Sequence, residues 1–442
     1  MLRSSTVWLV ILVFSIVFGL PTQVRLSLLN GLISLRPFVP ILLLILARQI
    51  LQRGRQGWRF LNPVSIMLGV LCLIILLRSV WAVSMHEPEI YFHDLTDSTG
   101  APSWAGSIHA RGVVTALLLV TYVALAVATA AYASHRDFGA RLTASALRAL
   151  LFASTLYAAA LLLLLAYSVA AKGWDPTAWP IVIRGIDVGH GRTDAALAGF
   201  GPDDGILFAT GAVLAFASAR SNGKRRYLVL MAVVDLSACL ATFSRGAVIS
   251  LVVGCGCVVI AALGSYRSRV LALSMVSFGA ATLLVLSAGP ALALGPVLDQ
   301  LTGSGTGGAR IQQWQSMLPA LLQNPIFGYG AESYRPYTAG FPAENFVLDI
   351  AFSGGLLALV ALVLSQATIA LWVSRCLGRA HYLHDKSVSA LGWGFLTYSI
   401  GTMLNTSAWS PVYWLLMGLT AGTVYRLRVS HDARVPEMQQ SG

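Results

Sequence analysis

Gly112–Ala133 reads GVVTALLLVTYVALAVATAAYA. It holds no charged residue, and as a helix rising 1.5 Å per residue it is long enough to cross a bilayer core of about 30 Å. Runs of this kind recur along the chain. The candidate spans are Val7–Leu20, Ser27–Ala47, Pro63–Val83, Gly112–Ala133, Ala149–Ala170, Gly205–Ala219, Tyr227–Phe243, Ala247–Leu263, Val270–Ala288, Phe346–Val373, Ser387–Thr406 and Pro411–Tyr425. Arg36, inside the second, leaves its start open. The pattern predicts about twelve transmembrane helices.

Composition agrees. Of 442 residues, 56% are hydrophobic and 11% charged, against about 25% charged in soluble domains. Mean hydropathy is +0.73. A soluble fold of this length would need a far more polar surface. Disorder, collagen and coiled coil fail for want of polarity, Gly-X-Y or heptads. The expectation is an all-α polytopic membrane protein, with residues 1–442 forming one integral membrane domain.

The net charge of +12 does not point to nucleic acid, because membrane proteins concentrate Lys and Arg in cytoplasmic loops. Arg48, Arg53, Arg55 and Arg59 fill one such loop. Arg136, Arg141 and Arg148 mark a second, and Arg220, Lys224, Arg225 and Arg226 a third. Arg267 and Arg269 form a fourth, Arg375, Arg379 and Lys386 a fifth, and Arg426, Arg428 and Arg434 mark the tail. With twelve spans all six fall on one side, which places both termini in the cytoplasm. Arg3 flanks the first span and no clear small-residue cleavage site follows, so that span is expected to be retained. Of the five cysteines, Cys72, Cys239, Cys255 and Cys257 lie in apolar runs and Cys376 does not. They form no CxxC or Cys/His cluster, so no metal site is expected.

The opposite side carries the long loops: His86–Arg111, Ala171–Asp204 and, longest, Gly289–Asn345 between spans nine and ten. Long loops on one face commonly carry function. The last contains a Gly/Ser hinge at Gly303–Gly308, then an amphipathic stretch to Leu322 that predicts a surface helix. Trp314 suits the membrane interface, and Pro319 and Pro325 should break and end the helix. The two halves of the chain show no internal repeat. That disfavours a secondary transporter, which tends to have repeats and charges near the bilayer middle. A non-catalytic scaffold is the other rival.

This side should be poor in arginine, yet it holds Arg184, Arg192, Arg245, Arg310 and Arg335. Arg245, in Ser244-Arg245-Gly246, sits between two apolar runs. It either snorkels to the headgroups or forms an anion site, to which a planar guanidinium fork is suited. Arg310 opens the amphipathic stretch, as a solvated charge or a second anion ligand. Glu344, in Ala343-Glu344-Asn345, precedes an apolar run. It is either a favourable charge at a helix N-terminus or a general base. Tyr329, Tyr334, Tyr337, Trp174 and Trp179 could stack on sugars or form an interfacial aromatic belt.

Three pieces occur in order: Ser244-Arg245-Gly246; Arg310-x-x-x-Trp314 leading to Asn324-Pro325-Ile326-Phe327-Gly328-Tyr329-Gly330; and Glu344-Asn345-Phe346-Val347-Leu348 before Gly354-Gly355-Leu356-Leu357. Together they resemble the O-antigen ligase and Wzy-type O-antigen polymerase family. Pro202-Asp203 stands where that family has Pro-Asn. The resemblance spans roughly residues 180–370 by motif. It implies a GT-C-like fold and a metal-independent, cofactor-free glycosyltransferase on the periplasmic face of the bacterial inner membrane. The implied donor is an undecaprenyl-pyrophosphate-linked oligosaccharide. The acceptor is a second lipid-linked repeat unit in O-antigen or exopolysaccharide polymerases, or lipid A core in ligases. A chain-length regulator or flippase of the same pathway would be a partner.

The resemblance makes Glu344, Arg245 and Arg310 the expected catalytic residues, and Arg192, Arg184, Arg335, Tyr329, Tyr334, Asn345 and Trp314 the expected substrate-binding set. Family members usually carry His where this chain has Glu344. A carboxylate suits a base acting on the acceptor hydroxyl and opposes a pyrophosphate ligand. It also favours polymerase over ligase.

Overall fold

The computed structural model describes residues 2–19, 26–28, 33–35, 38–53, 62–84, 108–135, 138–172, 202–221, 225–242, 245–262, 315–333, 345–378, 386–404 and 410–432. Helix α1 (Leu2–Gly19) is followed by an antiparallel hairpin of β1 (Leu26–Leu28) and β2 (Ile33–Leu35), paired Leu26↔Leu35 and Leu28↔Ile33. Then come α2 (Phe38–Arg53), α3 (Pro63–Ser84), α4 (Ile108–Ala133), α5 (Gly139–Lys172), α6 (Pro202–Ser221), α7 (Arg225–Ala241) and α8 (Arg245–Ala262). A short helix covers 315–323. The long segment α9 (Phe346–Gly378), α10 (Lys386–Leu404) and α11 (Pro411–Asp432) complete the order.

The second expected span therefore starts later than Ser27. Strands occupy its first part, and the helix opens at Phe38, directly after Arg36-Pro37. Proline lacks an amide donor and disfavours helix in the residue before it, which makes this a natural boundary. The expected ninth span, Val270–Ala288, lies outside the described residues.

Among the described residues, four helical stretches are long and apolar enough to cross a bilayer: Pro63–Ser84, Gly112–Ala133, Gly139–Leu163 and Phe346–Cys376. Shorter apolar ones are Thr6–Phe18, Asp204–Ala219 and Gly246–Val259. The outer surface has the chemistry of a lipid contact. On α3, Ile66, Val70, Leu73, Leu77, Val80 and Trp81 are exposed in a helical stripe, while Leu68, Leu71, Ile75 and Ala82 are buried on the other. Such apolar exteriors are untenable in water and ordinary in lipid. This is a helical, polytopic membrane protein.

Helix α11 runs through the interior: Tyr413, Trp414, Leu415, Leu416 and Met417 are each 0% exposed. It lies directly on α4, because a Cβ at Gly418 would strike the Ala126 carbonyl and one at Gly422 the Ala130 carbonyl. Small residues permit this close approach, which is how helices associate where lipid supplies no hydrophobic drive. The pairing is sealed at one end, where Arg426 Nη1 donates to the Ala133 carbonyl at 3.0 Å and Thr143 meets Thr423 at 3.2 Å. The opposite end of α4 meets residues 331–332, and we refer to it as the loop end.

Candidate active site

The site is organised by a break in α9. Gly355 has φ 66° and ψ −163°, a region open only to glycine. In an unbroken helix Leu356 and Leu357 would donate their amides to the Phe352 and Ser353 carbonyls. Here those four groups are claimed by another segment. Leu356 N donates to the Pro325 carbonyl at 2.7 Å and Leu357 N to the Ile326 carbonyl at 3.3 Å. Tyr329 N donates to the Phe352 carbonyl at 2.8 Å and Gly330 N to the Ser353 carbonyl at 2.9 Å. The sequence Asn324–Gly330 is thus inserted where two helical hydrogen bonds are missing. Backbone polar groups at membrane depth must be paired within the protein, and this exchange pairs all four.

The close approach explains the glycines. A Cβ at Gly355 would run into the Ile326 carbonyl, and one at Gly328 into the Phe352 carbonyl. Gly328 and Gly330 also have φ of +65° and +96°. The quoted motifs Asn324–Gly330 and Gly354-Gly355 are two halves of one joint.

The break also turns the chain. Phe346 packs edge-on against Tyr413, with centroids 5.7 Å apart. Gln366 Nε2 donates to the hydroxyl of the same Tyr413 at 2.7 Å. A straight helix would separate residues 346 and 366 by about 30 Å. Sharing one neighbour means that 346–354 folds back along 356–378. The start of α9, with Asn345, is therefore carried in among α10 and α11, beside Phe395 and Tyr398, which also pack on Tyr413.

Asn345 is the N-cap of this arm: Leu348 N donates to its Oδ1 at 3.2 Å, and Asp349 N to its carbonyl at 3.0 Å. Asp349, one turn on, is 1% exposed and accepts from Ser353 Oγ at 3.2 Å.

Tyr329 is held by the protein itself. Its ring stacks on Phe352 at 5.2 Å and its hydroxyl donates to the Ala320 carbonyl at 2.8 Å. Helix 315–323 passes through Pro319 and buries Met317 and Ala320 against Phe352. Its other face is apolar and exposed: Leu318 and Leu322, continued by Ile326 and Phe327. The sequence predicts a helix in this stretch as far as Leu322, and 315–323 is helical.

Two helices outside the sequence motifs hold the loop. On α3, Arg78 is half-buried and its Nε donates to the Gly328 carbonyl at 2.9 Å. Asn324 Nδ2 donates to the same oxygen at 2.6 Å. The next residue, Ser79, accepts from Ala331 N at 3.0 Å. On α4, Gly112 lies directly under the Ala331 carbonyl, and Thr115 Oγ1 donates to Glu332 Oε1 at 3.1 Å. The loop end thus collects the end of α3, the start of α4, the bend of α9 and residues 324–333. Arg78 escaped the sequence reading, although one arginine in the otherwise uncharged Pro63–Val83 was a visible signal.

Arg245 is the first residue of α8. The end of α10 lies by the start of α6, where Gly401 meets Ile206. The second arm of α9 leaves the loop end and α10 returns, since Gly392 packs on Val373. The start of α6 is then at the loop end, and through the short links to α7 and α8 so is Arg245. Arg184, Arg192, Arg310, Trp314, Tyr334, Arg335 and Glu344 lie outside the described residues. So do Tyr337, Trp174 and Trp179.

Away from this end is a second polar feature. Asp235 of α7 is 0% exposed. Its Oδ2 accepts from Thr155 Oγ1 at 2.9 Å and faces Ser154 Oγ at 3.4 Å, both on α5. Gly211 of α6 makes room: a Cβ there would lie 2.6 Å from Ser154 Oγ and 2.8 Å from Asp235 Oδ2. Among the described residues Asp235 Oδ1 has no hydrogen-bond partner. Among those residues, too, no group of three or more His, Cys, Asp or Glu could hold a metal ion.

No curated protein matches the chain. Residues 228–363 match the family model described as O-antigen ligase. That stretch runs from α7 through Arg245, the loop and the bend of α9, whereas Arg78, Ser79, Gly112 and Thr115 lie outside it. Over residues 228–363 the chain is similar to the O-antigen ligase family, in agreement with the resemblance drawn from its motifs.

Proposed function

We propose that the chain transfers a glycan from an undecaprenyl-pyrophosphate-linked donor to a second lipid-linked repeat unit, at the periplasmic face of the bacterial inner membrane. The observation that carries this is the coincidence of the family match with the joint. The matched residues 228–363 contain both the inserted motif 324–330 and the bend that receives it. Both termini are then cytoplasmic, the loop end faces the periplasm, and the exposed apolar ridge Leu318, Leu322, Ile326 and Phe327 rests in the outer leaflet. A chain-length regulator or flippase would act beside it.

In the reaction the acceptor hydroxyl oxygen bonds to the anomeric carbon of the donor. The bond from that carbon to the pyrophosphate oxygen breaks, its electron pair leaving with the pyrophosphate. Direct attack inverts the anomeric centre. Arg245 and Arg310 stabilise the charge that develops on the leaving group, with Arg192 or Arg184 as a third cation. Fixed guanidinium groups do this without a divalent ion. Glu344, which precedes the folded-back arm in the sequence, takes the proton of the attacking hydroxyl. Asn345 shapes the start of that arm, Arg335 takes a donor phosphate or a sugar carboxylate, and Tyr334 offers a sugar-stacking face. Tyr329 shapes the wall of the site, and Trp314 is a further substrate-binding residue.

The test uses purified protein in liposomes with a lipid-linked repeat unit as sole substrate. A ladder of longer lipid-linked glycans is expected. Transfer only when lipid A core is supplied would make the chain a ligase, as the description of the matched family suggests. Arg245→Ala and Arg310→Ala should each abolish transfer with the protein still in the membrane. Full activity in both would remove the cation clamp, and full activity of Glu344→Gln would remove the base.

A further inference from the structure

The bonds exchanged at the joint share one register. In a helix each amide pairs with the carbonyl four residues before it. The bend leaves open the pairs Phe352–Leu356 and Ser353–Leu357. The loop leaves open Pro325–Tyr329 and Ile326–Gly330, which stand in the same relation. Each segment supplies the two bonds that the other lacks. Either segment could also close its own pairs, and four bonds would be made in both arrangements. The loop has already begun to do so, since Gly328 N donates to the Asn324 carbonyl at 3.0 Å. Glycine at 328, 330 and 355 is compatible with helical and non-helical backbone alike. Backbone pairing is therefore balanced, and the choice between the two arrangements falls to side chains.

The Gly328 carbonyl is where they act. In a continued helix it would accept from the amide of residue 332. Here it accepts from Asn324 Nδ2 at 2.6 Å and from Arg78 Nε at 2.9 Å. Asn324 belongs to the loop and would travel with it. Arg78 belongs to α3, and so fixes the carbonyl to the bundle. Ser79 adds a bond to Ala331 N at 3.0 Å, while its hydroxyl donates to the Ile75 carbonyl at 2.8 Å. That bond is between neutral groups, and a hydrogen bond from a charged donor is roughly twice as strong. An arginine within the span Pro63–Ser84 is costly and is retained where it serves a purpose.

We propose that Arg78 is a positioning residue for glycosyl transfer. Through the Gly328 carbonyl it selects the exchanged arrangement, and so sets the bend and the folded-back arm that begins at Asn345. This rests on the glycosyl-transfer reading above and adds to it a residue outside the matched segment on which the rate depends.

The test compares the parent protein with Arg78→Met, Arg78→Gln and Arg78→Lys in the liposome assay, at equal amounts of folded protein. Donor and acceptor are varied separately. Hydrogen exchange at residues 324–333 and 352–357 is recorded alongside. In Arg78→Met exchange should quicken in both segments together and stay parental at 413–422 of α11. Loss of a hydrogen bond from a charged donor should lower kcat about tenfold or more, with both KM values nearly unchanged. Arg78→Gln and Arg78→Lys each keep a donor and should each recover part of kcat, because the acceptor is an uncharged carbonyl. Parental exchange in Arg78→Met overturns the proposal. So does quickened exchange with parental kcat, which would mark Arg78 as structural only. A donor KM raised in Arg78→Met and Arg78→Gln but restored in Arg78→Lys overturns it too, since Arg78 would then bind the pyrophosphate. A parent protein that transfers no glycan overturns the underlying reading instead, and exchange still decides whether Arg78 holds the joint.

Discussion

The bend of α9 and the pocket around Asp235 both place polar groups inside an apolar bundle, and they handle them in opposite ways. At the bend, two helical hydrogen bonds are given up and four backbone groups are re-paired with residues 325, 326, 329 and 330. At Asp235, every helix is intact and the polar group is a side chain. One oxygen is served by hydroxyls from α5, while Oδ1 has no hydrogen-bond partner among the described residues. The first arrangement depends on backbone geometry, hence on glycines, and spends its interactions on shaping a site. The second depends on side-chain packing, and it draws α5, α6 and α7 together. A broken helix in a membrane is tolerable when other backbone completes it. A buried carboxylate is held by whatever short donors the neighbouring helices bring.

The largest effect is expected at the bend. Gly355→Ala forces a Cβ into a backbone conformation reserved for glycine and against the Ile326 carbonyl. It should cost about 3 kcal/mol or more, seen as a large drop in thermal midpoint together with lost transfer. A protein of parental stability would show that the bend does not require glycine and would break the contrast.

The next effect belongs to the other region. Gly211→Ala should cost about 1–3 kcal/mol by overpacking against Ser154 and Asp235. Combined with Asp235→Ala it should cost clearly less than the sum, because the carboxylate that is struck has gone. Thermal midpoints of the four proteins in that cycle decide this, and strict additivity would place the pressure elsewhere.

The smallest effect sharpens the view of the folded-back arm. Asn345→Ala removes the cap and should cost about 1 kcal/mol, with Asn345→Ser recovering most of it. If Asn345→Ser were as unstable as Asn345→Ala, Asn345 would be doing something other than capping.

Much of the molecule was legible in the sequence. The uncharged run Gly112–Ala133 is helical as written. The stretch expected to be helical up to Leu322 is helical over 315–323, although Met317 faces inward while Leu318 and Leu322 face outward. The motif Asn324–Gly330 and the pair Gly354-Gly355 both stand out in the sequence. Their relation does not, because a hydrogen bond between the Ile326 carbonyl and the Leu357 amide leaves no mark on either residue type. Arg78 and Asp235 are hidden for a related reason: inside a long apolar run, one charged residue hardly alters the hydropathy on which spans are recognised. Ser27, expected in a helix, lies in a strand, since short apolar runs do not separate the two by pattern alone.

By itself the sequence determined that the chain must live in a bilayer, since 56% hydrophobic residues cannot be clothed by 11% charged ones in water. It determined where most helices run, since periodicity and charge-free length are local properties. Only the tertiary structure decided that α9 doubles back at Gly355, that residues 324–330 complete the broken helix, and that Arg78, Ser79 and Thr115 from two other helices hold the loop. The physical reason is that backbone pairing and close packing are relations between distant segments, and composition carries no record of which partner each segment finds.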